Sequence, residues 1–306
     1  MIEATELSSP TGAKLAVRAL DLQNPRAVVC IQHGMAEHSA RYERFQNALA
    51  EGGYASVAHD HRGHGATTAP DAAPLFFAPE DGWSKVTADA LAVAEDAALR
   101  HEGAPLFVFG HSMGGIVAAD LAMHHADRFG GAAVWNIGFR AGALGLAFRT
   151  LLRAERFRRG SDVPSPLARK LTFDAFNKRF APNRTEFDWL SRDKDEVDRY
   201  VADPLCGGDV TIGMWLDVME GTRRASDDEP LGLLPPDMPF HLLGGAKDPV
   251  TNDGKATIAF GKRLRDAGLT DVTTVVLDNT RHEALNEVNR ETTTRQFIDW
   301  LNARFD

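Results

Sequence analysis

The chain has few of the sequence features that are typical of secreted or membrane-spanning proteins. Its 306 residues include only two cysteines, Cys30 and Cys206, which lie far apart in the sequence. We interpret both as free thiols, which favours a cytoplasmic location. No run of about 18 apolar residues occurs, so no membrane-spanning helix is indicated. Residues 1–10 carry two glutamates and no basic start, which is not typical of a signal peptide.

Positive charge is outnumbered by negative charge over the chain as a whole. The formal net charge is −9 at pH 7, which argues against general nucleic-acid binding. The charge is uneven, because residues 139–180 hold ten Lys or Arg and three Asp or Glu. The hydrophobic content of 43% is ordinary for a globular protein, and the length suits one large α/β domain with an insertion.

Apolar runs alternate with helical patterns, which predicts a mostly parallel sheet covered by helices on both faces. The predicted strands are 14–20, 27–32, 54–59, 106–110, 132–137, 240–243 and 272–277. A last helix is predicted from residue 283 or 284 to 305. Residues 139–236 show helical stretches without a convincing buried strand. We therefore predict an α/β core of residues 1–138 and 237–306, with a helical cap, residues 139–236, inserted after the sixth core strand.

The most informative stretch is G-H-S-M-G at residues 110–114, extended by Gly115. An apolar β-branched and aromatic run precedes it and an Ala-rich helical pattern follows it. A G-x-S-x-G motif between a strand and a helix is typical of a nucleophile elbow, in which the serine stands exposed on a strained turn. The sequence therefore predicts Ser112 as a nucleophile.

A serine nucleophile needs a base, and the base needs a carboxylate to fix its tautomer and stabilise its cation. In this fold the acid and the histidine follow late strands, in the chain order Ser, Asp, His. Asp248 and His282 stand in the loops after the predicted strands 240–243 and 272–277. Asp278 is the rival acid, but it precedes His282 by only a few residues, so we favour Asp248.

The oxyanion of an acyl-transfer intermediate needs backbone N–H donors. We expect one from Met113, next to the serine, and one from Met35, after the strand 27–32, where Gly34 lets the backbone turn. His59, His61 and His64 cluster around an arginine and two glycines, but no zinc-ligand spacing accompanies them, so no metal is expected. The proposed chemistry requires no cofactor.

Four motifs together carry a family resemblance. They are HGMAEHSARY at 33–42, DHRGHG at 60–65, GHSMGG at 110–115 and RHEALNE at 281–287. The chain resembles the monoacylglycerol lipase and lysophospholipase-like group of α/β-hydrolases across the whole core. The resemblance implies the α/β-hydrolase fold, triad roles for Ser112, Asp248 and His282, and oxyanion roles for Met35 and Met113. It implies structural or mouth-lining roles for the charged and aromatic residues of the first motif, Glu37, His38, Arg41 and Tyr42.

The cap is expected to line the substrate pocket, with candidates Phe139, Phe148, Met214, Trp215 and Leu216, which would equally suit a core. Gly34 is a further substrate-binding candidate. Residues 142–159 predict a helix with apolar side chains broadly on one side and arginines in its second half. Two interpretations stay open: a cap helix packed on the core, which we favour, or a helix that makes transient contact with a membrane surface.

The leading hypothesis is a serine hydrolase for a small-molecule or lipid ester, such as a monoacylglycerol or lysophospholipid. A general short-chain carboxylesterase is the main alternative. A proline-iminopeptidase-like peptidase is less favoured, because the first half of the cap is basic and a peptidase needs acids for the substrate amine. An acyltransferase and a non-catalytic binding protein complete the alternatives, although the predicted triad is intact. The sequence does not indicate an oligomeric state.

Overall fold

One eight-stranded sheet forms the centre of the computed structural model, which describes residues 2–138 and 142–305. The strand order is β1-β2-β4-β3-β5-β6-β7-β8, and the strands from β4 to β8 pair in parallel. Their bounds are β1 Thr5–Ser8, β2 Lys14–Leu20, β3 Val28–Gln32, β4 Ala55–His59, β5 Leu106–His111, β6 Gly131–Trp135, β7 Phe240–Gly245 and β8 Val272–Leu277. The mostly parallel sheet confirms the predicted fold class.

Strand β1 is missing from the sequence-based prediction. It pairs antiparallel with β2 at the edge of the sheet, and its side chains are mostly exposed. Four residues with little buried apolar surface give no clear alternation, because edge strands need not bury both faces. With β1 counted, β6 is the sixth strand along the chain, and the predicted cap segment follows it.

Helices cover both faces of the sheet, as the buried strands require. Helices α2 (Gly82–Arg100), α3 (Met113–His124) and α10 (Lys255–Asp266) pack on one face, and α1 (Glu43–Glu51) and α11 (Arg290–Asn302) on the other. Alternate residues of β3 pack on opposite faces of the sheet. Cys30 packs in the core beneath α2, α3 and α10, and Ile31 packs in the core beneath α1 and α11. The period of two along each strand produces this division.

The predicted C-terminal helix is wrong in its first part. A short 3-10 turn, Ala284–Asn286, precedes α11, which begins only at Arg290. The fully buried carboxylate of Glu287 accepts bonds from the backbone N–H groups of Arg281 and Val288, at 2.9 and 3.0 Å. Because these bonds hold the chain in a loop, the helix starts after it.

Between β6 and β7, the described residues form six helices joined by loops and no strand of the sheet. The helices are α4 Gly142–Arg159, α5 Pro166–Leu171, α6 Phe173–Lys178, α7 Lys194–Ala202, α8 Ile212–Arg224 and α9 Asp228–Leu231. Helix α8 is held on the core by Arg224, which donates to the buried carboxylate of Asp120 on α3. These helices stand over the carboxyl end of the parallel strands, next to Ser112.

Candidate active site

Ser112 stands on a sharp turn between β5 and α3. Its φ of 56° and ψ of −122° lie in a region that L-residues seldom adopt. The turn needs small neighbours: a Cβ on Gly110 would lie 2.0 Å from the Gly114 carbonyl oxygen, and one on Gly114 would lie 2.1 Å from that of Gln32. The G-x-S-x-G spacing therefore follows from the close approach of strand and helix.

Three side chains from separate parts of the chain meet at this turn. Ser112 Oγ lies 2.9 Å from His282 Nε2, and His282 Nδ1 lies 3.0 Å from Asp248 Oδ1. Asp248 and His282 are both buried, and they follow β7 and β8. The rival acid Asp278 is exposed at the end of β8 and is not hydrogen-bonded to His282 within the described residues.

Asn136 also hydrogen-bonds to Asp248, and the sequence analysis did not predict this residue. Its side-chain amide donates to Asp248 Oδ2 at 3.0 Å, and the Val250 N–H donates to Asp248 Oδ1 at 2.9 Å. Asn136 has φ = 56°, a conformation that asparagine tolerates better than most residues. An asparagine directly after a buried strand was the available signal.

The two residues expected to supply oxyanion donors are both found at the serine's cavity. Met35 and Met113 both line the cavity that contains Ser112. Met113 is the first residue of α3, so its N–H has no acceptor inside the helix. The Gly34 N–H donates to Glu37 Oε1 at 2.6 Å, and a Cβ on Gly34 would meet that same oxygen at 2.6 Å. Gly34 thus shapes the turn and does not line the cavity.

Two buried histidines hold the loop that carries Met35. His33 Nδ1 is 2.7 Å from the Gly34 carbonyl oxygen, and its Nε2 accepts from the His61 N–H at 2.9 Å. His64 Nε2 accepts from the Ala36 N–H at 3.3 Å. Accepting a bond requires a neutral imidazole. Burial lowers the pKa of His33 to about 4 and that of His64 to about 3, so both are neutral at pH 7.

An ion-paired group lies beneath the histidine loop. Arg41 pairs with Glu37 and, at 2.7 Å, with Glu283, while Tyr42 donates to Glu37 at 2.9 Å. Burial opposes ionisation of Glu37, but Arg41 and His111 hold its pKa well below the usual range. His111 Nε2 lies 3.0 Å from the His282 carbonyl oxygen, so this histidine supports the loop and points away from the serine.

A cavity of about 720 Å³ opens beside Ser112. Phe148 and Trp215 line it, with ring centroids 6.2 Å apart, whereas Met214 is buried in the core. Phe139 lies outside the described residues. The wall between α4 and α8 is mainly apolar. Its longer polar side chains are Arg149 on α4, Thr172, and, at or just beyond the end of α8, Thr222, Arg223 and Ser226.

Trp189 is a second residue that the sequence reasoning missed. Its ring centroid lies 4.8 Å from that of His282, and it lines the cavity. Phe173 stacks on Trp189 at 5.6 Å and also faces Trp215 at 5.4 Å. A row of aromatic rings therefore leads from the histidine towards α8.

Helix α4 does not pack all of its apolar side chains on the core. Leu152 is buried and Phe148 faces the cavity, but Leu144 is 85% exposed and Phe157 is 93% exposed. Leu146 and Leu151 are exposed as well. The favoured interpretation of a helix packed through its apolar face is therefore wrong for these positions. In the described part of the chain, no helix combines the length and apolar character needed to cross a membrane.

Comparison with known proteins identifies the family. A family model described as serine aminopeptidase, S33 (Hydrolase_4) matches residues 23–289. The chain belongs to this family of α/β-hydrolases. The resemblance to the monoacylglycerol lipase group is thereby confirmed, since its relatives include the monoglyceride lipase homolog of monkeypox virus, 25% identical over 201 residues. Human monoglyceride lipase is 27% identical over 225 residues, 73% of this chain.

The match covers only part of these relatives. The first alignment covers 65% of this chain and 64% of the viral protein, and the second covers 66% of the human protein. The chain thus spans just under two thirds of their length. Among solved structures, a thermostable carboxyl esterase from Bacillus coagulans superposes with a TM-score of 0.87 at 22% identity, covering 99% of both chains. That likeness shows the α/β-hydrolase fold.

Proposed function

We propose that this protein hydrolyses carboxylic esters, with Ser112 as nucleophile, His282 as general base and Asp248 as its partner. One observation carries the proposal: the relay from Ser112 Oγ to His282 at 2.9 Å and on to Asp248 at 3.0 Å, placed at the wall of an apolar cavity. Hydrogen-bond distances of this kind are what a serine nucleophile needs for activation.

The reaction follows from these atoms. His282 Nε2 takes the proton of Ser112 as its Oγ attacks the ester carbonyl, and Asp248 stabilises the imidazolium that forms. The N–H groups of Met35 and Met113 bind the oxyanion. His282 then gives the proton to the leaving alcohol, which departs. Water, activated in the same way, releases the acid from the acyl-enzyme and restores Ser112.

The substrate we propose is a lipid ester of the monoacylglycerol or lysophospholipid kind. The cavity of about 720 Å³ falls in the range of ligand pockets, and its apolar aromatic wall suits an acyl chain. The relatives described as monoglyceride lipases support the same class. The alternative, a short-chain carboxylesterase, would leave much of this apolar surface without a partner.

The aminopeptidase description of the family model does not suit this cavity. An aminopeptidase binds the ammonium group of its substrate, which calls for an acidic side chain near the serine. Among the described residues, the cavity wall includes the basic residues Arg149 and Arg223 and no Asp or Glu. A neutral ester therefore fits better than a free peptide N-terminus.

We also propose that α4 touches a lipid surface while the substrate enters. Exposed Leu144 and Phe157 share this helix with arginines, and Leu146 is both exposed and part of the cavity wall. Exposed apolar side chains beside basic ones suit insertion into an anionic interface. We also propose a cytoplasmic location, because both cysteines are free thiols. Cell fractionation would test that location.

Vesicle co-sedimentation tests the lipid contact. A variant with Leu144→Glu and Phe157→Glu should bind anionic phospholipid vesicles at least about 100-fold less tightly, because burying each side chain stabilises by roughly 1.5–3 kcal/mol. Leu99→Glu on α2 is the matched control, since Leu99 is exposed outside the cap. Equal vesicle binding by both variants would refute the contact, whatever their activity on soluble esters.

Hydrolysis of p-nitrophenyl esters from acetate to palmitate tests the activity. We expect turnover that rises with chain length and is abolished by Ser112→Ala. A maximum at acetate or butyrate would replace the lipid substrate with a small ester. Undiminished turnover in Ser112→Ala would overturn the proposed nucleophile.

A further inference from the structure

Three side chains with metal-binding atoms meet outside the Ser112 site. One nitrogen of His38, one carboxylate oxygen of Asp203 and the sulfur of Cys206 all lie within 4.8 Å of one another. His38 follows β3 in the loop that carries Met35, while Asp203 and Cys206 follow α7 in the cap. The sequence spacing could not reveal this group, because 164 residues separate its first two members.

The donor types suit a thiophilic divalent cation. Imidazole nitrogen, thiolate and carboxylate are the ligands that Zn²⁺ uses, at about 2.0–2.3 Å from the metal. Tetrahedral binding at those lengths sets the donor atoms roughly 3.3–3.8 Å apart. His38 Nε2 and Asp203 Oδ2 stand at 2.9 Å, and all three donor atoms lie within 4.8 Å of one another, so shifts of about 1 Å or less would bring them to this spacing. Asp203 and Cys206 are only half-buried, which gives an ion access.

The imidazole of His38 is already oriented towards the other two ligands. His38 is buried, and its Nε2 lies 2.9 Å from Asp203 Oδ2. Glu37 and Glu283 nearby both pair with Arg41, so Asp203 supplies the carboxylate of the group.

We infer that His38, Asp203 and Cys206 form a binding site for Zn²⁺ or a similar thiophilic cation, with a fourth position open to water. On binding, the Cys206 thiol releases its proton to solvent and its sulfur bonds to the metal. The ion then joins the cap to the loop after β3. That junction already exists as hydrogen bonds, because the Tyr200 hydroxyl and the Gly207 N–H both donate to the Ala36 carbonyl at 2.9 Å.

Cobalt(II) titration of the chelator-treated full chain tests this site. A near-ultraviolet charge-transfer band from thiolate to cobalt is expected at one equivalent, together with a rise in the thermal midpoint with Zn²⁺. Affinity should rise about tenfold per pH unit, since one thiol proton is displaced. This readout does not depend on ester hydrolysis, so it can fail or succeed apart from the proposed function.

Variants assign the ligands. Cys206→Ser should lose the band and weaken Co²⁺ binding by at least about 100-fold, and Asp203→Asn should weaken binding while keeping the band at high metal concentration. Cys30→Ala is the matched control, because Cys30 is buried in β3 and should leave the band intact. Absence of the band in the wild type, or its persistence in Cys206→Ser, would overturn the site. Circular dichroism of each variant separates lost binding from lost folding.

Discussion

Thr222→Trp should shorten the acyl cavity without touching the catalytic residues. Thr222 lines the cavity on the same face of α8 as Trp215, seven residues further along the helix. At 1.5 Å per residue, the two positions lie about 10.5 Å apart along the axis. An indole at residue 222 would therefore occupy the end of the cavity that lies beyond Trp215.

The magnitude follows from the apolar surface that the ring displaces. Each methylene moved from water into an apolar site stabilises by about 0.8 kcal/mol, and about 1.4 kcal/mol corresponds to a tenfold change in rate. In the wild type, two added methylenes should raise kcat/KM by roughly 15-fold until the cavity is full. An indole that displaces four methylenes should lower kcat/KM for long esters by about 200-fold.

The assay is kcat/KM for p-nitrophenyl esters from acetate to palmitate. Thr150→Trp is the matched control, because both threonines donate a hydrogen bond to a carbonyl oxygen of their own helix. Thr150 Oγ1 donates to the Leu146 carbonyl at 2.9 Å, and Thr222 Oγ1 donates to the Val218 carbonyl at 2.8 Å. Thr150 is exposed and does not line the cavity. The control should keep the wild-type profile.

The result that would refute this reasoning is a profile for Thr222→Trp parallel to the wild type. Equal losses on acetate and palmitate would mean that the substitution disturbs the catalytic residues or the fold. Unchanged values on both would mean that acyl chains do not occupy the cavity along α8. Only a loss confined to long esters supports the account.

Three more predictions follow from the site and its supports. Asp248→Asn should lower kcat by about 10³–10⁴-fold with little change in thermal midpoint, whereas Asp278→Asn should retain activity; steady-state kinetics would decide between the two acids. Gly114→Ala should destabilise the fold strongly, because its Cβ meets a backbone oxygen at 2.1 Å, whereas Gly232→Ala meets one at 3.5 Å and should not; thermal denaturation of both variants is the check. Acidification from pH 6 to pH 5 should lower the free energy of unfolding by about 1 kcal/mol for each histidine that is neutral in the folded state and protonated in the unfolded chain. Chemical denaturation at the two pH values would measure this loss, and an unchanged free energy would contradict it. The histidines concerned, whose pKa burial lowers to about 3 or 4, are His33, His59, His64 and His241.

The direction of the pH effect depends on which state, folded or unfolded, binds more protons. These histidines have a pKa near 6.5 when unfolded and a lower one when folded, so the unfolded state binds more protons between those values. Their contribution to stability is full above about pH 6.5 and falls as the pH drops towards 4. His241 adds a structural reason, because its Nδ1 accepts from the Trp135 indole N–H at 2.9 Å, and protonation would break that bond.

Local sequence patterns were enough to predict the core and the position of Ser112. Buried strands such as β3 and β5 are short apolar runs, and Gly110 is required by its steric contact with Gly114, four residues further along the chain. The chain order of serine, acid and histidine then located Asp248 and His282. Each of these inferences depends on neighbours in the chain or on a fixed order of strands.

Contacts between distant segments were not predictable in the same way. Trp189 reaches the ring of His282 from the cap, and Asn136 reaches Asp248 from the end of β6. The burial of Met214 and the exposure of Leu144 depend on how α8 and α4 are placed, which the helical period alone does not determine. The period gives the faces of a helix, but tertiary packing decides which face is buried.

The most direct test of the central proposal is intact-mass spectrometry after treatment with a fluorophosphonate, a reagent that phosphonylates activated serines. We predict one adduct per wild-type chain, located by peptide mapping at Ser112, and none in Ser112→Ala. His282→Ala should slow labelling by orders of magnitude, because the base that activates the hydroxyl is gone. An adduct on another serine, or rapid labelling of Ser112→Ala, would contradict the assignment of Ser112 as the nucleophile.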